Sequence, residues 1–304
     1  MLSACLQLAR RAGHIIAEEH EKGQLAARNK KVVDDTRAVA DMASHEVLTV
    51  ADGRAQDAIV TSLRGMFPQL RIVGEEGDVP AEESASAWSD VAPLAHPFDV
   101  PAPLRTSLTA ADVCVWVDPL DGTKEFVLRH LASVSVLVGI AVRDRPVAGV
   151  ILQPFVGGDG GNVTYGAVGV GVFRNGRRVD VGAQCPPGTV LAMSGKHVDD
   201  GGRLSVAVGR LVPPSRVLPR NACGKKMLSV IRGEASAHLQ GPGASRWDTC
   251  AGEALLLALG GVVTSLDGLP YRYTQGACYD NANGIVASRT PELHARLLEA
   301  LSLQ

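Results

Sequence analysis

The sequence predicts a two-lobed protein that mixes helix and sheet, with an α+β first half and an α/β second half. Three observations carry this. At 304 residues the chain is long enough for roughly two lobes, each with a core. Between the N-terminal third and residue 180, β-branched runs recur with turn and hairpin signals. Beyond about residue 185, short apolar strands alternate with helical stretches, the pattern of an α/β unit.

The opening "MLSACLQLARRAGHIIAEEH" places Leu2, Leu6, Ala9, Ile15 and Ile16 on one helical face. Its basic pair follows the apolar residues, the reverse of a secretory signal, and an amphipathic targeting peptide is the alternative. "KGQLAARNKKVVDDTRAVADMASHEV" has no firm period. A second helix runs from Ala51 to about Met66 and is stopped by Pro68. "LRIV" is a short strand ending in Gly74-Glu75-Glu76, and residues 77–112 form a long excursion rich in Ala, Ser, Pro and acid. "VCVWV" reads as a strand that delivers Asp118 off its end and stops at Pro119. "SVSVLVGIAV" and "VAGVILQPF" flank the turn "RDRP", and Asn175-Gly176 marks a hairpin in "GVFRNGRRV". The character changes near Cys185-Pro186-Pro187-Gly188, which divides the chain into lobes 1–185 and 186–304. Then come the strand "TVLAM", a helix near 198–208, the strand "SRVLP", a helix from Lys225, the strand "ASAHL" and the apolar helix "TCAGEALLLALGG".

Hydrophobic content of 46% with 20% charged residues is that of an ordinary folded protein. A net charge of −2 argues against a nucleic-acid polymer as partner while leaving room for a small anionic substrate. Six cysteines (Cys5, Cys114, Cys185, Cys223, Cys250, Cys278) never fall as C-x-x-C, which points to reduced thiols and a cytoplasmic setting. No run of about 18 apolar residues exists, so no membrane span is expected.

Chemistry concentrates where elements end. Glu75 closes "RIVGE", Asp118 closes "CVWV", Asp121 follows three residues on, and Asp248 opens an apolar helix. Each has a plain alternative: a loop acid at Glu75, turn chemistry at Asp121-Gly122, a helix cap at Asp248. If they converged, each pair of charges at about 4 Å would repel by roughly 4 kcal/mol at an effective dielectric near 20. Such a cluster persists only beside cations, and all-oxygen donors suit hard ions such as Mg²⁺.

"WVDPLDGTKEF" resembles the D-P-x-D-G-T signature of the inositol monophosphatase superfamily, and "VGEEG" and "WDTCAGEALLLALGG" resemble its two other signatures in the same order. "VADGRAQDAIVTSLRGMFPQLRIVGEE", "SVSVLVGIAVRDRPVAGVILQP" and "CGKKMLSVIRGEASAHLQGPGASRWDTCA" are most similar to the 3'(2'),5'-bisphosphate nucleotidases. The resemblance covers nearly the whole chain after Leu48. It implies a layered α-β-α-β-α sandwich and two or three Mg²⁺ ions held by Glu75, Asp118, the Leu120 carbonyl, Asp121 and Asp248. It also implies that Pro119 aims that carbonyl, that Gly122 lets the backbone approach a phosphate, and that Thr123 and Asp52 form the pair beside the attacking water, with Glu75 assisting. "TKEF" would present its first amides to the phosphate. In the second lobe it implies substrate contacts at Ser194, His197, Gly224, Lys226 and Asp248, with a solvated histidine and a surface lysine as the plain alternatives. Trp247 is expected to pack rather than stack on a base.

The sequence departs from the family at Val50 and Gly53, which replace a basic flank beside Asp52, at a longer segment 29–48, and at Ala222, where nucleotidases often have Gly. The implied reaction is Mg²⁺-dependent, Li⁺-sensitive removal of the 3'-phosphate from adenosine 3',5'-bisphosphate to give AMP, and from its sulfated analogue PAPS to give APS. A monomer or homodimer is expected. The rivals are an inositol polyphosphate 1-phosphatase acting on inositol 1,4-bisphosphate and a catalytically silent nucleotide- or metal-binding scaffold.

Overall fold

The computed structural model describes residues 1–22, 28–29, 47–78, 108–180, 188–195, 202–211, 215–276 and 278–302. Most of segments 29–48 and 77–112, the proposed boundary at 185, and His197 lie outside these residues.

Two amphipathic helices open the fold: α1 (Leu2–Glu21) and, after the short paired strands β1 (Arg28–Asn29) and β2 (Val47–Leu48), α2 (Val50–Met66). Leu6, Ala9 and Ile16 of α1 and Ala55, Ile59 and Leu63 of α2 are fully or nearly fully buried, at the helical spacing read in the sequence. Both helices pack on one face of a seven-stranded sheet. Its strands, in spatial order, are β3 (Arg71–Gly74), β4 (Val113–Asp121), β5 (Ser135–Val142), β6 (Arg145–Gln153), β7 (Asn162–Ala167), β8 (Gly171–Arg174) and β9 (Arg177–Arg178). β3 is parallel to β4, and all other neighbours are antiparallel. A short helix, α3 (Thr123–Val127), follows β4. The hairpin at Asn175-Gly176 forms with both residues at positive φ, 47° and 81°, the twist that a two-residue turn between antiparallel strands requires.

The second half builds a five-stranded mixed sheet from β10 (Val190–Met193), β11 (Arg216–Pro219), β12 (Ala237–Gln240), β13 (Val262–Thr264) and β14 (Ile285–Ser288), ordered β11-β10-β12-β14-β13. The helices α4 (Arg203–Arg210) and α7 (Pro291–Ser302) cover its outer face. The helices α5 (Cys223–Ile231) and α6 (Arg246–Ala258) are sandwiched between the two sheets. Five layers result, α-β-α-β-α, with one apolar core at each outer junction and a third that spans both faces of the central helical layer.

The central layer is drawn unusually close to the first sheet. Gly139 and Gly149 face each other across β5 and β6. A Cβ on Gly139 would lie 2.5 Å from Cys250 Sγ, and one on Gly149 would lie 2.5 Å from the Ala251 carbonyl. This pair of missing side chains seats the first turns of α6 on the strands, and so brings Asp248 down toward the end of β4. The five described cysteines are unpaired and four of them are buried. Among the described residues no helix is long and apolar enough to cross a membrane.

Candidate active site

Two aspartates three residues apart on a regular strand face opposite sides of the sheet. In β4, Val115 and Val117 enter the core under α1 and α2, while Cys114 and Trp116 enter the core toward α5 and α6. Asp118 continues that second face, so an unbroken pleat would send Asp121 away. The strand does not stop at Pro119, as expected from sequence, but runs on through a bulge. Asp118 pairs with Leu137 and Asp121 with Ser135, so β4 spends one residue more than β5 between them. Both carboxylates therefore share the face of Leu137 and Ser135. Pro119 is tolerated because a bulge asks for no ladder donor there. The Leu120 amide donates to Asp118 Oδ1 at 3.1 Å, and its carbonyl lies 3.1 Å from Thr123 Oγ1.

Gly122 ends the strand at φ 88°, a left-handed conformation, and caps α3, whose first residue is Thr123. On the neighbouring strand Glu75 extends the ladder by one bond, its amide donating to the Val117 carbonyl at 3.0 Å. Gln56 pins the turn beyond, accepting from the Glu76 amide at 3.0 Å and donating to the Gly77 carbonyl at 2.9 Å. The Glu75 carboxyl group lies close enough to Asp118 to raise its pKa.

The other two acids arrive on helix starts. Asp52 is the third residue of α2 in a capping box with Thr49, whose amide donates to Asp52 Oδ2 at 2.8 Å and whose hydroxyl also reaches it. Its second oxygen accepts from Thr123 Oγ1 at 3.0 Å. Asp248 repeats the device on α6, accepting from the Ser245 amide at 2.6 Å. The plain alternative, a capping acid, is therefore correct for Asp248 as well, and one oxygen suffices for it.

One carboxylate oxygen from each of Asp118, Asp121 and Asp248 lies within 4.8 Å of the others. Burial pushes all three upward, Asp121 to about 6 and Asp118 and Asp248 well above the usual carboxylate value. Like charges add to this: Glu75, Asp121 and Asp248 act on Asp118, and Asp121 and Glu75 act on Asp248. Asp121 is moderated by the Ser135 hydroxyl at 2.8 Å and by the Cys223 and Gly224 amides at 2.9 and 2.8 Å. Burial and these acids hold the adjacent Cys223 thiol well above its ordinary value, so it offers no thiolate. The donor set is thus all oxygen, desolvated and mutually repelling, which fits a hard divalent cation.

The second-lobe candidates divide. The Gly224 amide donates to Asp121 rather than facing open space, and a Cβ there would meet Ser135 Oγ at 2.5 Å. Lys226 is buried at 4% exposure, its Nζ donating to Gln240 Oε1, so it is no surface lysine. Burial lowers its pKa, while Asp121 and Asp248 oppose that shift. Ser194 follows β10 directly and is partly exposed; Ala192 pairs with His238 on parallel β12, which sets Ser194 level with Gln240 at the carboxyl edge of the sheet. Trp247 packs edge-on to Tyr279 at 5.9 Å. Sequence reasoning passed over Thr49, Ser135 and Gln240. Thr49 was accessible through its T-x-x-D spacing to Asp52, whereas the other two act across strands with no local signal.

The sequence model of the inositol monophosphatase family matches residues 1–303. The chain belongs to the inositol monophosphatase family. The human protein named 3'(2'),5'-bisphosphate nucleotidase 1 is 33% identical over 95% of this chain and 90% of its own length. The Dictyostelium discoideum protein of the same name is 31% identical, covering 94% of this chain and 91% of its own. Among solved structures, the extragenic suppressor protein suhB from Bartonella henselae superimposes with a TM-score of 0.69 over 99% of this chain and 97% of its own at 20% identity, a likeness of fold. This member of a phosphatase family carries its acidic cluster where the layered fold brings the end of β4 against the start of α6.

Proposed function

We propose that the chain is a Mg²⁺-dependent phosphomonoesterase that hydrolyses the 3'-phosphate of adenosine 3',5'-bisphosphate to AMP and acts likewise on PAPS, giving APS. The observation that carries this reading is the convergence of Asp118, Asp121 and Asp248 beside the Thr123–Asp52 pair. The names of the similar human and Dictyostelium proteins favour a nucleoside bisphosphate over an inositol phosphate. In this proposal Glu75, Asp118, the Leu120 carbonyl, Asp121 and Asp248 hold two or three Mg²⁺ ions. When bound, these supply Lewis-acid neutralisation of charge on the phosphoryl oxygens.

The remaining work falls to the chain. Asp52 accepts the Thr123 proton, which turns a lone pair of the Thr123 hydroxyl outward to accept from an attacking water. As the water oxygen bonds to phosphorus and the P–O3' bond breaks, the water's proton passes through the Thr123 hydroxyl to Asp52, the departing 3'-oxygen takes a proton from solvent to become the 3'-hydroxyl of AMP, and Glu75 orients the nucleophile. Lys226, close enough to feel Asp121 and Asp248, adds positive charge for the second phosphate, with Ser194 at the neighbouring strand end. The first lobe, residues 1–185, supplies the metal and water platform, and the second, residues 186–304, supplies Asp248 and the substrate contacts. We further propose a cytoplasmic enzyme that works as a monomer or homodimer and is inhibited by Li⁺.

The test is phosphate release from adenosine 3',5'-bisphosphate and from inositol 1,4-bisphosphate, each with Mg²⁺, with EDTA and with added Li⁺. Mg²⁺-dependent, Li⁺-sensitive release that prefers the nucleotide is the expected outcome. Preference for the inositol substrate would overturn the substrate assignment, and release unaffected by EDTA would overturn the metal assignment.

A further inference from the structure

The β8–β9 hairpin and the C-terminal end of α5 frame an open cavity of about 670 Å³ that shares no lining residue with the acidic centre. Four arginines line it: Arg174, Arg177 and Arg178 from the hairpin, and Arg232, which caps α5. The single acid among the described lining residues is Asp180. The overall charge of −2 conceals this local excess.

Nothing in the packing of the hairpin explains the excess. Arg174 and Arg177 are directly opposite each other across the two strands, an arrangement of like charges that destabilises a sheet. Arg178 lies over the Phe173 ring at 5.8 Å, and Arg174 Nε donates to Asn162 Oδ1 at 3.1 Å, so two of the side chains are oriented by neutral groups. Arg232 is mostly buried; its Nη2 donates to Gln153 Oε1 at 2.8 Å, and its Nε is buried with no partner among the described residues. Burial first and the Arg174 charge second bring its pKa down to about 10. Glu234 is the acid that opposes this, yet it sits 3.8 Å from Arg220 instead. Among the described residues none of the four guanidinium groups is ion-paired with a carboxylate. Lys225, on the same helix, also feels Arg232, Arg220 and Arg174.

We propose that this cavity binds a small polyanion carrying at least two phosphate groups, at a site independent of the acidic centre. Planar guanidinium forks match phosphate oxygens in pairs, and several of them around one concavity suit a di- or triphosphate better than a lone anion. The volume falls in the range of about 300–1,000 Å³ typical of small-molecule pockets. The two sites lie at opposite ends of α5, whose nine residues span roughly 13 Å at about 1.5 Å per residue.

The probe is inorganic tripolyphosphate, titrated calorimetrically into the full chain with EDTA present. Wild type is expected to bind, Asp118→Asn to bind equally well, and Arg177→Ala/Arg178→Ala to bind at least tenfold more weakly. Arg177→Ala alone, an exposed change, repeats the test without risk to the hairpin, and circular dichroism confirms that each variant is folded. No binding by wild type, or loss in Asp118→Asn with the arginine variants unaffected, would overturn the proposal. A short single-stranded RNA that binds far more tightly than tripolyphosphate and is lost in the same arginine variants would replace the small-molecule assignment with a polymer site.

Discussion

Thr123 and Asp52, 71 residues apart in sequence, meet through one hydrogen bond of 3.0 Å, and the same hydroxyl lies 3.1 Å from the Leu120 carbonyl. One proton serves two acceptors, and the charged one is favoured. Burial raises the Asp52 pKa and hydrogen bonds from Thr49 and Thr123 oppose it, leaving it at about 6, so it is mostly ionised at neutral pH. Thr123→Ala removes the hydroxyl, and Asp52→Asn removes the charged acceptor while its amide oxygen still caps α2. Each is expected to lower kcat on the order of 10²–10⁴-fold, with Thr123→Ser restoring much of the loss. Steady-state phosphate release decides it, and near-normal turnover in Thr123→Ala would remove the pair from the mechanism.

Metal binding should show itself in stability with no substrate present. Asp118, at 1% exposure, is surrounded by Glu75, Asp121 and Asp248. Saturating Mg²⁺ at about 100 times its Kd stabilises a folded protein by about 2.7 kcal/mol. Asp118→Asn removes one of the repelling charges, so the metal-free variant is expected to melt above metal-free wild type and to gain little from Mg²⁺. Differential scanning fluorimetry with EDTA and with Mg²⁺ measures both effects. An equal Mg²⁺ increment in wild type and variant would place the ion elsewhere.

The acidic ends of the elements were legible in the sequence because strand ends and helix starts leave a local mark. The fold that brings them together was legible through the motifs and not through periodicity. Spacing alone misplaces Asp121, since the bulge that turns it to the face of Asp118 has no local signature beyond Pro119. β7, "NVTYGA", mixes polar and apolar residues yet is buried throughout, so its inner position in the sheet reads weakly from the chain. Gly139 and Gly149 look like breaks in two strong strands, and only the seat of α6 above them explains both. Lys226 and Gln240 could not have been matched, because their contact depends on how α5 lies over β12.

A buried network on α6 predicts a specific pH response. Glu253, at 2% exposure, lies 2.6 Å from the Tyr273 hydroxyl, which donates to it. Burial pushes its pKa from 4.5 to about 7, with the Tyr273 hydrogen bond opposing. The folded value is the higher one, so the contribution to stability is fully present below about pH 4.5 and is lost as pH rises through about 7. A tenfold change in proton affinity is worth about 1.4 kcal/mol, so the effect is on the order of 3 kcal/mol. Glu253→Gln keeps an acceptor for Tyr273 and removes the titration. Between pH 5 and 7 the unfolding free energy of wild type should therefore fall relative to that of the variant, as followed by urea denaturation at each pH. Parallel curves would show that Glu253 keeps an ordinary pKa.

Ala222 and Gly122 predict a coupled pair. Ala222 caps α5 at φ 62° and ψ 145°, a region that L-residues other than glycine enter at a cost of about 1–3 kcal/mol. Ala222→Gly relieves that strain against an unfolded-state entropy cost of about 0.5–1 kcal/mol, so a net gain of about 1 kcal/mol is expected. Gly122→Ala acts in the opposite direction: its φ is 88°, and the added Cβ would lie 3.0 Å from the Ala222 Cβ and 3.3 Å from the Ser133 carbonyl. One of those two contacts disappears when residue 222 is glycine. The double variant should therefore be more stable than the sum of the single changes by roughly 0.5–1 kcal/mol, as residues in contact commonly are. Because Gly122 leads directly into Thr123, turnover should follow the same order, lowest in Gly122→Ala and partly restored in the double variant. Chemical denaturation of the four proteins measures the coupling, and strict additivity would mean that the β4–α3 turn and the start of α5 do not press on one another in solution.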